Sequence, residues 1–92
     1  MSTGYRYAYD REANALYIYI RAAAPVWQRE YTEEIVLDFD ERDNLVGIEV
    51  LDPGGADLRA IVEDYNLDPH LLNVLDKLRN LMPEALKELS LA

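Results

Sequence analysis

YDREANALYI at residues 9–18 returns, position for position, as FDERDNLVGI at residues 39–48. Each copy runs from an aromatic residue to Asp, through three charged or small residues to Asn, and then into an apolar strand. An aspartate at the head of a turn accepts backbone N–H groups with its carboxylate, and asparagine tolerates the left-handed conformation that reverses the chain. Both stretches are therefore predicted to be hairpin loops, with about four residues between paired strands. The match fits an internal duplication and fits equally two hairpins meeting the same chemical requirement.

Loop length sets register. With residues 11–14 as the first loop, Tyr9 faces Leu16, Tyr7 faces Ile18 and Tyr5 faces Ile20. With residues 41–44 as the second, Phe39 faces Val46, Leu37 faces Ile48 and Ile35 faces Val50. Both hairpins then turn their strongly apolar positions to one side, and a slip of one residue would mix them with charges. A middle strand at about Trp27–Tyr31 is expected to join the hairpins into a five-stranded antiparallel β-meander. Ala22-Ala23-Ala24-Pro25, ahead of it, is a poor strand, and Pro25 needs an edge or a turn.

Beyond Pro53-Gly54-Gly55, which reads as a linker rather than a phosphate-binding loop, the pattern changes to leucine at helical spacing. Asp57 can cap a helix carrying Leu58, Ile61, Val62 and Tyr65, and Asn66 suits its end. Asp68-Pro69 opens a second helix through about Leu81, and Pro83 starts a short third one with Leu86 and Leu89 on one side. The second helix carries Leu71, Leu72, Val74, Leu75, Leu78, Leu81 and Met82 around more than half its circumference. A helix of that kind is covered on two sides, here by the sheet and by a sister helix or another chain. The expected fold is α+β: one domain over residues 1–92, a sheet half at 1–52 and a helical half at 56–92. Two or three C-terminal helices cover one sheet face.

Composition limits function. The 92 residues carry 9 Lys+Arg against 18 Asp+Glu, a net charge of −9 that repels phosphate backbones and argues against nucleic acid as a partner. No apolar stretch reaches the roughly 20 residues of a membrane span, and the N-terminus has no basic flank followed by an apolar run. Cysteine is absent, which excludes disulfides and thiolate chemistry and fits a cytoplasmic setting. His70 stands in the first turn of a helix with no nucleophile partner, and reads as an exposed helix residue. No cofactor motif occurs.

Residues 9–20 (YDREANALYIYI) and 35–52 (IVLDFDERDNLVGIEVLD) resemble, in order and spacing, the domain-of-unknown-function family 2283. That family shows Tyr-Asp and an Ala-rich turn into Leu-Tyr-Ile, then an acidic strand, an Asp-containing turn and Leu-Val-Gly-Ile-Glu. The resemblance spans roughly residues 5–52 and leaves the helical residues outside. It implies a fold and assigns no catalytic residue.

The sheet face turned away from the helices is the place to look for function. By register it carries Arg6, Ala8, Tyr17, Tyr19 and Arg21 from the first hairpin, and Val36, Asp38, Leu45, Gly47, Glu49 and Leu51 from the second. A solvated, half-polar face is one reading. Two tyrosines with Val36, Leu45 and Leu51 expose roughly 300–500 Å², however, near the largest patch a monomer tolerates. The leading expectation is therefore a non-enzymatic protein-interaction module that self-associates as a homodimer. Tyr17, Tyr19, Val36 and Leu51 on the sheet, and Leu72 and Leu75 on the second helix, are its candidate interface residues. An alternative is an acidic, antitoxin-like or regulatory partner of a basic protein, by analogy of architecture. Another is a metal-dependent enzyme: Asp38 and Glu49, one diagonal apart, can hold Mg²⁺ or Ca²⁺ or form an acid/base pair, unless they pair with Arg6, Arg21 or Arg29.

Overall fold

In a computed structural model, which describes residues 5–53 and 55–81, both aspartate turns form. The Asp10 carboxylate accepts the N–H groups of Glu12 and Ala13 at 3.0 and 3.3 Å, and that of Asp40 accepts those of Arg42 and Asn44 at 2.8 and 2.9 Å. The amides, Asn44's foremost, hold the Asp40 carboxyl below its ordinary pKa. Asn14 takes the left-handed conformation (φ 50°) in the first turn, and its side-chain oxygen accepts the Tyr9 hydroxyl at 2.8 Å.

The strands are β1 (Arg6–Asp10), β2 (Ala15–Tyr19), β3 (Trp27–Thr32), β4 (Ile35–Phe39) and β5 (Leu45–Leu51). They are followed by helices α1 (Arg59–Asp64) and α2 (His70–Leu81). The first hairpin has the register its loop predicts, from Tyr9 opposite Leu16 to Tyr7 opposite Ile18. In the second, Leu37 faces Ile48 and Ile35 faces Val50 as expected, but Phe39 faces Leu45 rather than Val46. The turn is the reason. Asp43 (φ 64°), not Asn44, takes the left-handed position, and the Asn44 carbonyl accepts the Asp40 N–H at 3.0 Å. The loop thus closes one residue early, and the extra residue is absorbed as a shift between Asp38 and Phe39. Leu45, expected on the open face, packs instead in the core at 8% exposure.

All five strands run antiparallel, but the meander expected from the sequence is corrected: the order is β1-β2-β5-β4-β3, with β5 central and β3 at an edge. The side chains account for this. Gln28-Arg29-Glu30 puts exposed polar residues on both faces of β3, which only an edge tolerates, whereas five of the seven residues of β5 are buried. The alanine stretch after β2 crosses the ends of β5 and β4. The Val46 carbonyl accepts the N–H groups of Ile20 and Arg21, and that of Phe39 accepts Val26's.

The face bearing Leu16, Ile18, Ile35, Leu37, Ile48 and Val50 forms one core with Leu58, Ile61, Val62, Leu71 and Leu75 of the helical half. Each such side chain contributes about 1.5–3 kcal/mol when fully buried. Tyr5, Tyr7 and Tyr9 pack at its margin, as their register requires. The Asp57 carboxylate accepts the Arg59 N–H at 3.0 Å at the start of α1, one residue ahead of the formal cap, Leu58. Asn66 (φ 53°) follows its end. Before α2, the Asp68 carboxylate accepts the His70 N–H at 3.0 Å, while the Asp68 N–H donates to the hydroxyl of Tyr5, the residue ahead of β1, at 3.1 Å. The third helix expected from Pro83, with Leu86 and Leu89, lies outside the described residues, as does Met82.

Candidate functional site

The register stacks the open face into cross-strand rows. The first runs Arg6, Tyr19, Gly47, Asp38 and Gln28 from β1 to β3, and the second runs Ala8, Tyr17, Glu49, Val36 and Glu30. No described helix lies over them, because α1 and α2 contribute to the core on the other side.

Gly47 sets the geometry of the centre. A Cβ at this position would lie 1.8 Å from the Tyr17 hydroxyl oxygen and 2.3 Å from Cζ, so the tyrosine ring occupies the space a side chain would need. Leaning across β5 in this way, Tyr17 donates its hydroxyl to Asp38 Oδ2 at 2.7 Å. Gln28 Nε2 donates to Oδ1 at 3.0 Å from the opposite side. Asp38 is 8% exposed, and the two groups that donate to it, a phenol and an amide, are neutral. Burial first, and then the hydrogen bond to Asp38, pushes the Tyr17 phenol well above its ordinary pKa. Tyr17 is therefore a fixed donor at neutral pH. The Tyr17 and Tyr19 rings meet edge to face at 4.7 Å, and the Arg6 guanidinium lies 4.9 Å from the Tyr19 centroid.

The candidate interface residues divide between the two faces. Tyr19 is 39% exposed, and Tyr17, Val36 and Leu51 are half-buried on the open face. Leu72 is half-buried against the core, and Leu75, at 3% exposure, belongs to the chain's own core. Leu72 and Leu75 also line a cavity of about 300 Å³ with Ala56, Asp57, Leu58, Arg59 and Asp76, away from the open face. Of the carboxylates considered for a metal, Asp38 is held by Tyr17 and Gln28, and Glu49 stands beside Tyr17 in the second row. Among the described residues, no three of His, Cys, Asp and Glu gather as a cation site. Of the arginines considered as partners for these acids, Arg6 lies over Tyr19 and Arg29 donates to the Tyr65 hydroxyl.

Gln28 was not legible as a site residue because its place opposite Asp38 depends on the exact β3–β4 register, which no turn signal fixes. Gly47 did carry a signal, since glycine inside a strand marks a close approach.

Fold and site together define a small α+β protein with one covered and one open sheet face. Residues 6–52, just over half the chain, match the model described as protein of unknown function (DUF2283), and the chain belongs to that family. No curated protein and no solved structure matches it. Among the described residues, no helix is long and apolar enough to cross a membrane.

Proposed function

We propose that the protein is a non-enzymatic, cytoplasmic interaction module that self-associates through its open sheet face. The observation that carries this reading is the uncovered pair of rows, where Tyr19, Tyr17 and Val36 surround a buried, hydrogen-bonded carboxylate and Leu51 extends the same face. Aromatic and aliphatic residues framed by Arg6 and Glu30 have the composition of an interface rather than of ordinary surface. The charge layout supports a second copy as the occupant, with a cation at the β1 edge and an acid at the β3 edge on either side of central β5. Five strands about 4.8 Å apart and five residues long give a footprint of about 400 Å² per copy. Two copies bury about 800 Å², which places the dimer at the weak, concentration-dependent end of specific interfaces.

Light scattering after gel filtration, from micromolar to millimolar protein, is the test. Rising protein concentration is expected to bring the mass from 10.6 kDa toward twice that value, and Tyr19→Ser is expected to hold it at 10.6 kDa with an unchanged circular dichroism spectrum. A wild-type mass of 10.6 kDa at every concentration refutes the reading.

A second reading, the acidic partner of a basic protein, is supported by Asp38, Glu49 and Glu30 outnumbering Arg6 in the two rows. Salt separates the two readings. Added salt screens repulsion between chains of charge −9 and tightens self-association, whereas it loosens a complex with a basic protein.

A further inference from the structure

We infer that the second copy seats with its β3 over β1 of the first, so that Arg6 of each copy reaches Glu30 of the other. This rests on the reading of the open face as a self-association surface and adds the axis and the pairing. A face-to-face pair of identical sheets has two simple two-fold arrangements. One axis runs along the strands through β5, the middle strand, and exchanges β1 with β3. The other runs across the strands and stacks each strand on its own copy.

The charges choose between them. With the axis across the strands and through the second row, Arg6 meets the second copy's Asp10, but that row lies on itself, placing Glu30 against Glu30 as well as Glu49 against Glu49. With the axis along the strands, Tyr17 lies over the second copy's Val36, and Tyr19 over its Asp38, a carboxylate with unused lone pairs. Arg6 lies over the second copy's Gln28, with its Glu30 two residues along the strand, about 7 Å away and within reach of an arginine side chain. The two Gly47 residues meet near the axis, each beneath its own Tyr17 ring, so the rings and not bare backbone come together there. Glu49 opposite Glu49 is then the one like-charge contact in the two rows, and it weakens the dimer.

Charge reversal reads the pairing directly in dissociation constants from sedimentation equilibrium, with circular dichroism confirming the fold of each variant. Arg6→Glu is expected to weaken the dimer about tenfold, through two symmetric contacts that turn repulsive. Adding Glu30→Arg to it is expected to restore the wild-type value to within about threefold. Glu49→Gln is expected to tighten the dimer about three- to tenfold. Rescue of Arg6→Glu by Asp10→Arg instead of Glu30→Arg overturns the axis in favour of the other arrangement. A wild-type dimer indifferent to Arg6→Glu overturns the pairing and leaves the interface standing, whereas a monomeric wild type overturns both.

Discussion

Replacing Gly47 with alanine tests the packing at the centre of the open face. Gly47 does not use a positive φ, so the alanine backbone is unstrained and its reduced freedom in the unfolded chain stabilises by about 0.5–1 kcal/mol. Against this, the new methyl group would stand 1.8 Å from the Tyr17 hydroxyl oxygen and 2.9 Å from Cε2, so the ring must swing away. Tyr17 then loses its hydrogen bond to the buried Asp38, worth about 1.5–3 kcal/mol for a charged acceptor. Its edge contact with Tyr19 goes too, worth about 0.5–1.5 kcal/mol. The expected net loss is about 1–4 kcal/mol, and in a domain of this size each kcal/mol lowers the midpoint of thermal unfolding by about 4–8 °C. Urea denaturation of Gly47→Ala in wild-type and Tyr17→Ala backgrounds completes the cycle. With no ring to displace, Gly47→Ala is expected to become neutral or to stabilise by up to about 1 kcal/mol. Equal penalties in both backgrounds, or none in the wild type, would refute the account of Tyr17 filling the glycine's space.

Other expectations follow from single groups. The buried Tyr7 hydroxyl has no hydrogen-bond partner among the described residues, so Tyr7→Phe is expected to be neutral or to stabilise by about 1 kcal/mol in urea titration. A clear loss of stability would reveal a partner for it. Asp40 has its pKa lowered in the fold, so its contribution is present above the ordinary value of 3.8 and is lost as pH falls through the lower folded value. The stability difference between wild type and Asp40→Asn is therefore expected to shrink on acidification through this range, and a constant difference refutes the link. Tyr31 donates to Asp64 at 2.6 Å from an exposed position, so Tyr31→Phe is expected to change the urea midpoint little.

The inward and outward faces of β1, β2, β4 and most of β5 were legible in the sequence because they depend on neighbours two residues apart and on a nearby turn. Leu37, Ile48 and Ile18 could be placed in the core from alternation alone. Strand order was not legible in the same way, since pairing β2 with β5 joins segments some thirty residues apart. The polar run Gln28-Arg29-Glu30 describes an edge strand, a position that the chain order of a meander does not give it. Leu45 went to the wrong face through a choice between two residues competent for the left-handed position, Asp43 and Asn44, which carbonyl and amide pairing settle in three dimensions. Asp38 stood out only as a carboxylate for a metal or an acid/base pair, and its hydroxyl partner was not legible, because Tyr17 reaches it over Gly47 through the β2–β5 pair that a meander lacks.

The central position of β5 has a consequence for synthesis on the ribosome. Both halves of the sheet meet only through this strand, which emerges last of the five. Until residue 51 has left the exit tunnel, the inner margin of the first ribbon has nothing to bond to and stays open to a neighbouring nascent chain. Insertion of that last ribbon element closes both margins at once, so the sheet is expected to form in one cooperative step rather than ribbon by ribbon.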